Sequence, residues 1–416
     1  MTNPYWNFKK ANPKYGYVNN PFQADEAEHT SKHYPCGYWP AGASLPPPSM
    51  PTKPIKGTLY GSGKNTNYQL GVGDNGDREI FTQITDDTYY KRVAVGITST
   101  LAITNTGEMW GIGENLYGAL GLGDAAPRTT WEQIPGVWRE VSSSFQTSFS
   151  VAIKEDGTLW STGYNYNGQL GLNDNTNRDI WTQVGTASNW VSIDTAQQNS
   201  MVIDTDGKLW ACGRNNGGLL GLGDDNIDRV VLEITATNVS QVSCGYHFTG
   251  IIKTDGSVWM TGWNRNGQFG DGTITNSDFW VEIEAAGDDN AFIHCRSTDT
   301  YQEGSTFLIK DNGIMWATGQ NAYHLMGLED TADKLSYVQL EGTDWASVTS
   351  QHNSTLAIKT NGEMYGTGAN ENGKLGLGDT NMRTSFERVG VDIWLFVDMT
   401  RYHAMAINWD GTYDWG

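Results

Sequence analysis

Five aspartates are each followed by an arginine four or five residues on: Asp74/Arg78, Asp124/Arg128, Asp174/Arg178, Asp224/Arg229 and Asp379/Arg383. Carboxylates placed this regularly in Gly- and Asn-rich surroundings raise calcium chemistry first. Asp224-Asp225-Asn226-Ile227-Asp228 copies the opening of a calcium loop, but the glycine and closing glutamate that such a loop needs do not follow. A turn in which Asp accepts backbone N–H groups and pairs with Arg explains the whole series. The seven histidines show no His-x-x-x-His spacing, and neither Cys-x-x-Cys nor Gly-x-Ser-x-Gly occurs. A metal site or a nucleophile elbow is therefore not indicated. Hydrolytic chemistry would need a triad assembled from distant parts of the chain. Cys36, Cys212, Cys244 and Cys295 are scattered. Cys244 and Cys295 stand two residues after Val242 and Ile293, in equivalent places, and read as small core residues rather than a disulfide plan. The expectation is no catalytic residue, no cofactor and no metal.

These residues recur because the chain recurs. A segment of the form Gly-x-Leu-Trp-x-x-Gly-x-Asn-x-x-Gly-x-Leu-Gly-x-Gly-Asp starts at Gly57, Gly107, Gly157 and Gly207. Weaker copies start at Gly256 and Gly313, a good one at Gly362 and a truncated one at Gly411. Such a period marks one supersecondary unit copied many times. Each unit holds four β-prone runs, for example Val141-Ser-Ser-Ser144, Phe149–Lys154, Thr158–Ser161 and Asp179–Val184, with the period-two alternation of strands. Asp156-Gly157 and its counterparts Asp206-Gly207, Asp255-Gly256, Asn312-Gly313, Asn361-Gly362 and Asp410-Gly411 predict type I′ hairpin turns. Trp110, Trp160, Trp210, Trp259 and Trp316, with Tyr60 and Tyr365, fill one repeat position; Trp131, Trp181 and Trp280 fill another. Aromatic rings at repeat-fixed positions pack units together; a tryptophan light sensor is the functional alternative.

Four strands repeated about seven times predict an all-β, seven-bladed propeller of four-stranded blades. The array starts partway through a unit at Gly57. It ends partway through another, with Val397–Ile407 and Gly411–Gly416. Seven lead-ins, at Val93, Val141, Val191, Val242, Ile293, Val348 and Val397, match seven loop-plus-fourth-strand halves. The two ends are expected to complete one blade between them. The Gly-x-Leu-Trp strand occurs once too often, and either Leu59-Tyr60 or Tyr413-Asp414-Trp415 is surplus.

At Gly163-Tyr-Asn-Tyr-Asn-Gly-Gln-Leu-Gly-Leu-Asn-Asp174 and Gly368-Ala-Asn-Glu-Asn-Gly-Lys-Leu-Gly-Leu-Gly-Asp379 the chain resembles the regulator of chromosome condensation repeat family. The resemblance spans residues 57–416 and extends to the lead-in histidines His247, His352 and His403. It implies a seven-bladed propeller and no single activity. Members of that family include a nucleotide-exchange factor for a small GTPase, a plant ultraviolet photoreceptor and secreted β-lactamase inhibitors, all working through protein surfaces. The photoreceptor's Gly-Trp-Arg-His-Thr motif is absent here.

A net charge of −20 with no basic cluster argues against direct binding of nucleic acid, which needs Lys and Arg to displace counterions. It also disfavours anionic membranes. No run of eighteen apolar residues is present, and Met1–Lys10 lacks the apolar stretch of a secretory signal.

Residues 1–56 do not repeat and are rich in Pro, Tyr and Trp. They read as an extended N-terminal arm ahead of a propeller over 57–416. Tyr5, Trp6, Phe8, Tyr15, Tyr17, Phe22, Tyr38 and Trp39 would press this arm onto its own propeller or a neighbouring subunit. One repeat interval is longer than the rest, its extra residues lying within 285–305. Repeat insertions map to loops and often to a binding face, which makes Arg296, Asp299, Tyr301 and Gln302 candidate contacts. The resulting expectation is a non-enzymatic interaction scaffold. Its most specific form is a virion component present in many copies (decoration, head or tail attachment, or host contact), with other subunits or a host receptor as partners. The alternatives are a cytoplasmic regulator of the exchange-factor or enzyme-inhibitor type, and an enzyme built in the central channel.

Overall fold

The structure, a computed structural model, describes residues 55–84, 88–297 and 304–413. Its strands form seven sheets, each with four antiparallel strands in a simple meander. In blade 2 these are Trp138–Ser143, Phe149–Lys154, Leu159–Gly163 and Arg178–Gln183. Burial is greatest in the second and third strands and least in the fourth. Phe149–Lys154 is buried at every position but its last, whereas Arg178–Gln183 has no fully buried position. The second strand is covered by neighbours on both faces and so reads as a continuous apolar run.

The first strands lie innermost: Tyr90–Val95, Trp138–Ser143, Trp190–Thr195, Val239–Cys244, Asn290–Ser297, Trp345–Gln351 and Trp394–Met399, for blades 1 to 7. Each touches the first strands of both neighbours, and blade 7 touches blade 1, so the ring is shut. The apolar cores lie between blades rather than within them. Leu59, Leu70 and Met405 of blade 7, for example, pack with Val93 and Ala102 of blade 1.

Blade 7 is the composite blade expected from the sequence. Trp394–Met399 and His403–Tyr413 come from the C-terminal side, Ile55–Gly63 and Arg78–Gln83 from the N-terminal side. Ile55 stands opposite Tyr413, and Gly63 opposite His403. Asp410-Gly411 does not turn, contrary to expectation. His403–Tyr413 runs through it as one strand, because Ile55–Gly63 already fills the edge where a returning strand would pair. Leu59-Tyr60 therefore belongs to the working third strand, and Gly411-Thr412-Tyr413 is the surplus copy, absorbed as an extension.

The other hairpins form, but with a different turn. The N–H of Gly157 donates to the carbonyl of Lys154 (2.9 Å), and of the turn residues only Gly157 has positive φ, +80°. This is a type I turn followed by a glycine bulge, not type I′. A Cβ on Gly157 would also lie 2.2 Å from the carbonyl oxygen of Ser188.

Candidate functional site

The long loop between third and outer strands carries the repeat's most regular residues, and each has a structural task. Asn165 spans its loop: Oδ1 accepts the N–H of Leu170 (2.9 Å), and Nδ2 donates to the carbonyl of Asp174 (2.9 Å). Equivalent asparagines receive the N–H five residues on in all seven loops. The five expected Asp–Arg pairs all form, and Asp330–Lys334 adds a sixth. In the Arg128 and Arg178 loops, the Asp124 and Asp174 carboxyls are held below the usual range, first by the Arg side chain and also by a backbone N–H from Ala126 or Thr176. The glycine after the loop leucine seats an aromatic ring from the next blade. A Cβ on Gly71, Gly121 or Gly221 would lie 2.2–2.4 Å from the rings of Trp131, Trp181 or Trp280. The tryptophans are packing elements, as expected. A further set at the start of the inner strands, Trp138, Trp190, Trp345 and Trp394, is buried against the third-strand rings. The repeat motif alone did not single these out, because Tyr90, Val239 and Asn290 replace Trp in three blades.

Inner strands expose one edge to the channel, where N–H groups need partners. Side chains at one position supply them across the blade boundary. Asp398 accepts from Val95 (2.9 Å), Asp194 from Cys244 (2.7 Å), Ser243 from Cys295 (2.9 Å) and His294 Nε2 from Ser350 (2.8 Å). Arg296 donates to the carbonyl of Cys244 (2.7 Å) and lies 3.5 Å from Asp194. Burial lifts the Asp398 carboxyl to about 6, against the pull of Arg296 and of the Val95 and Met399 N–H groups.

The meander puts the long loops and the turns after the inner strands at one end of the propeller, around the channel mouth. There the backbone repeats one contact seven times. The residue following each third strand donates its N–H to the carbonyl at the start of the second strand, that of the residue just before it or, in blade 5, of its first residue: Lys64 to Tyr402, Glu114 to Thr98, Tyr164 to Ser148, Arg214 to Gln198, Trp263 to His247, Gln320 to Gly304 and Ala369 to Asn353, at 2.8–3.0 Å. The geometry is constant and the side chains differ at every blade. Cations and rings meet on this face. The Arg265 guanidinium lies 4.0 Å over Trp263, and Lys64 Nζ lies 4.9 Å and the Arg401 guanidinium 5.3 Å from the Tyr402 ring. Tyr117, Tyr164 and Tyr166 form a cluster with Tyr117 and Tyr166 exposed. Tyr117 holds φ +58°, a conformation that disfavours bulky residues.

Residues 156–203 and 206–252 match the Regulator of chromosome condensation (RCC1) repeat, and residues 239–268 match a second model of that description. The fold is an RCC1-like seven-bladed propeller. Human WBSCR16 superposes with a TM-score of 0.74 at 17% identity, over 85% of this chain and 98% of that one. Prp20p from Saccharomyces cerevisiae, whose structure was reported with its binding to Gsp1p and histones, gives 0.74 at 16% identity, over 85% and 92%. The same yeast protein bound to Kap60 gives 0.73 at 16%, over 95% and 96%. No curated relative matches at the sequence level.

Of the contacts expected for the RCC1-like propeller and its arm, Arg296 is described. It is not on the open surface but turns into the channel beside Asp194 and over Phe145, 5.5 Å away. Tyr5, Trp6, Phe8, Tyr15, Tyr17, Phe22, Tyr38, Trp39, Asp299, Tyr301 and Gln302 lie outside the described residues. The three lead-in histidines do not share one position. His403 pairs opposite Gly63, whereas His247 precedes Phe248, which pairs opposite Gly262; His352 stands two before Ser354, opposite Gly368. Burial lowers His247 and His403 to about 3, so both are neutral at physiological pH. Burial likewise raises Cys212 and Cys295 to about 12, which leaves them as inert thiols.

Proposed function

We propose that this RCC1-like propeller is a non-enzymatic protein-docking scaffold whose working surface is the channel-mouth face. The observation that carries this reading is the repeated backbone contact bearing a different side chain at every blade. Structure is held constant there while chemistry varies, which suits recognition rather than packing. Charge distribution supports it. Cations of the outer strands are neutralised by loop aspartates. Lys64, Arg214 and Arg265, by contrast, form no ion pair among the described residues. Lysines of the opposite face, such as Lys154 and Lys253, lie 3.5 Å over Trp160 and Trp259. Trp, Tyr and Arg dominate protein interfaces energetically. The partners reported for yeast Prp20p are proteins, which agrees with this use of the fold.

The more specific setting we favour is a virus particle, supported by the acidic Asn-, Thr- and Gly-rich composition and the aromatic arm. A cytoplasmic regulator would use the same face. Co-sedimentation with intact particles after high-salt washing separates these two settings.

The docking face is tested by a photo-crosslinking phenylalanine analogue placed at Tyr166 or Tyr402, with Val137 and Val391 on the opposite end as controls. Adducts are expected from the mouth positions alone. Adducts confined to Val137 and Val391 would overturn the assignment.

A further inference from the structure

Building on the docking face assigned above, we infer that Trp263, Arg265 and Arg214, between blades 3 and 4, form a carboxylate-binding subsite that receives an acidic side chain from a partner protein. Trp263 is fixed before any partner arrives. It leans on Gly217 of the preceding blade, where a Cβ would sit 2.0 Å from its Nε1. The corresponding position holds Asn or Tyr in the other copies, so the exchange to glycine makes room for this ring. On the other side, the Trp263 and His247 ring centres are 4.1 Å apart. Arg265 is exposed and lays its guanidinium over the same indole. A stacked guanidinium keeps its N–H edge free and its plane set, which suits the two parallel oxygens of a carboxylate. Arg214 gives one N–H to Gln198 Oε1 (2.9 Å) and, among the described residues, keeps the others.

The local charge supports an acidic ligand. After burial, the positive charges of Arg214 and Arg265 both weigh against protonation of His247. Among the described residues, His247 Nδ1 is buried without a hydrogen-bond partner. Neither arginine has a carboxylate of its own among the described residues, in a chain of net charge −20. An acidic partner would be repelled almost everywhere else, so this subsite would fix where it docks. The same repulsion makes a polyanion such as nucleic acid a poor occupant, since it would also have to cover the surrounding aspartates.

The test follows the indole N–H resonance of Trp263, assigned through Trp263→Phe, in the full-length protein at constant ionic strength. The probe is acetyl-tetraglutamate amide; acetyl-tetraglutamine amide and inorganic phosphate are the comparisons. A saturable shift is expected with the glutamate peptide and not with the glutamine peptide. Arg265→Gln and Arg214→Gln should each weaken it about tenfold with unchanged thermal midpoints. Equal responses to both peptides, tighter binding of phosphate than of the peptide, or a shift that survives the double variant would overturn the inference. Crosslinking at Tyr166 or Tyr402 would stand regardless, so failure here leaves the docking face itself intact.

Discussion

Asn165 and Asp174 occupy one loop, yet they differ in what their loss should do. Asp174 pairs with Arg178 near solvent (2.6 Å), where water and salt screen the pair. Asn165 is fully buried and bonds three backbone groups, the N–H of Leu170 and the carbonyls of Asp174 and Thr176. Asn165→Ala should cost about 2–4 kcal/mol, since stranding a buried donor or acceptor costs about 1–3 kcal/mol each. Chemical denaturation measures it, and Asp174→Ala should fall well below Asn165→Ala. Asp398 gives a pH signature. Burial raises its carboxyl in the folded chain to about 6, against an ordinary value of 3.8, so the folded chain holds the proton more tightly. Its contribution is full below about pH 4 and is lost as pH rises through about 6, by at most about 3 kcal/mol. Asp398→Asn should flatten that part of the stability–pH curve; a curve that falls as steeply in the variant would show that another group is responsible. Sequence displayed the Asn and Asp of these loops because the Asn recurs in all seven copies and the Asp in six, with Thr273 in its place in blade 4. It did not display Asp398, Asp194 and His294 as one channel set, because Ala94, Ser142, Ser243 and Thr349 fill that position in the other blades.

Among the elements, the blade and its four strands were legible, since period-two patterning was seen several times over. The turn form was not. Asp-Gly serves both type I′ turns and type I turns with a glycine bulge, and only the pairing of Ile153 with Leu159 decides between them. The run through Asp410-Gly411 was hidden for another reason: the strand that blocks the turn comes from the other end of the chain. The channel-mouth contacts escaped notice because repeat comparison picks out what stays the same, and these side chains are what changes. The glycine seats offer a sharp element-scale check. Gly221 has φ +67°, and a Cβ there would meet the Trp280 ring at 2.4 Å. Gly221→Ala should destabilise by about 2–4 kcal/mol through backbone strain and overpacking. Adding Trp280→Leu should recover part of that loss if the clash is its source.

For the whole molecule, closure depends on blade 7. Ile55 and Tyr413 are opposite one another in adjacent strands, so a short linker can join them. A circular permutant opened at Gly185, an exposed connection between blades 2 and 3, should fold with a single thermal transition. Scission within Ile55–Gly63 should instead split the melt into more than one step, because it removes the strand that binds the two halves of a sheet.

The composite blade also sets a timetable for synthesis. As the chain leaves the ribosome, blades 1 to 6 emerge with all four of their strands, while Ile55–Gly63 waits for a mate that is made last. Until His403–Tyr413 appears, the nascent protein carries an unmatched strand edge at its leading end, and any message cut short upstream yields a product that never covers it. Chaperones and proteases would find in that bare edge a ready mark of an unfinished copy.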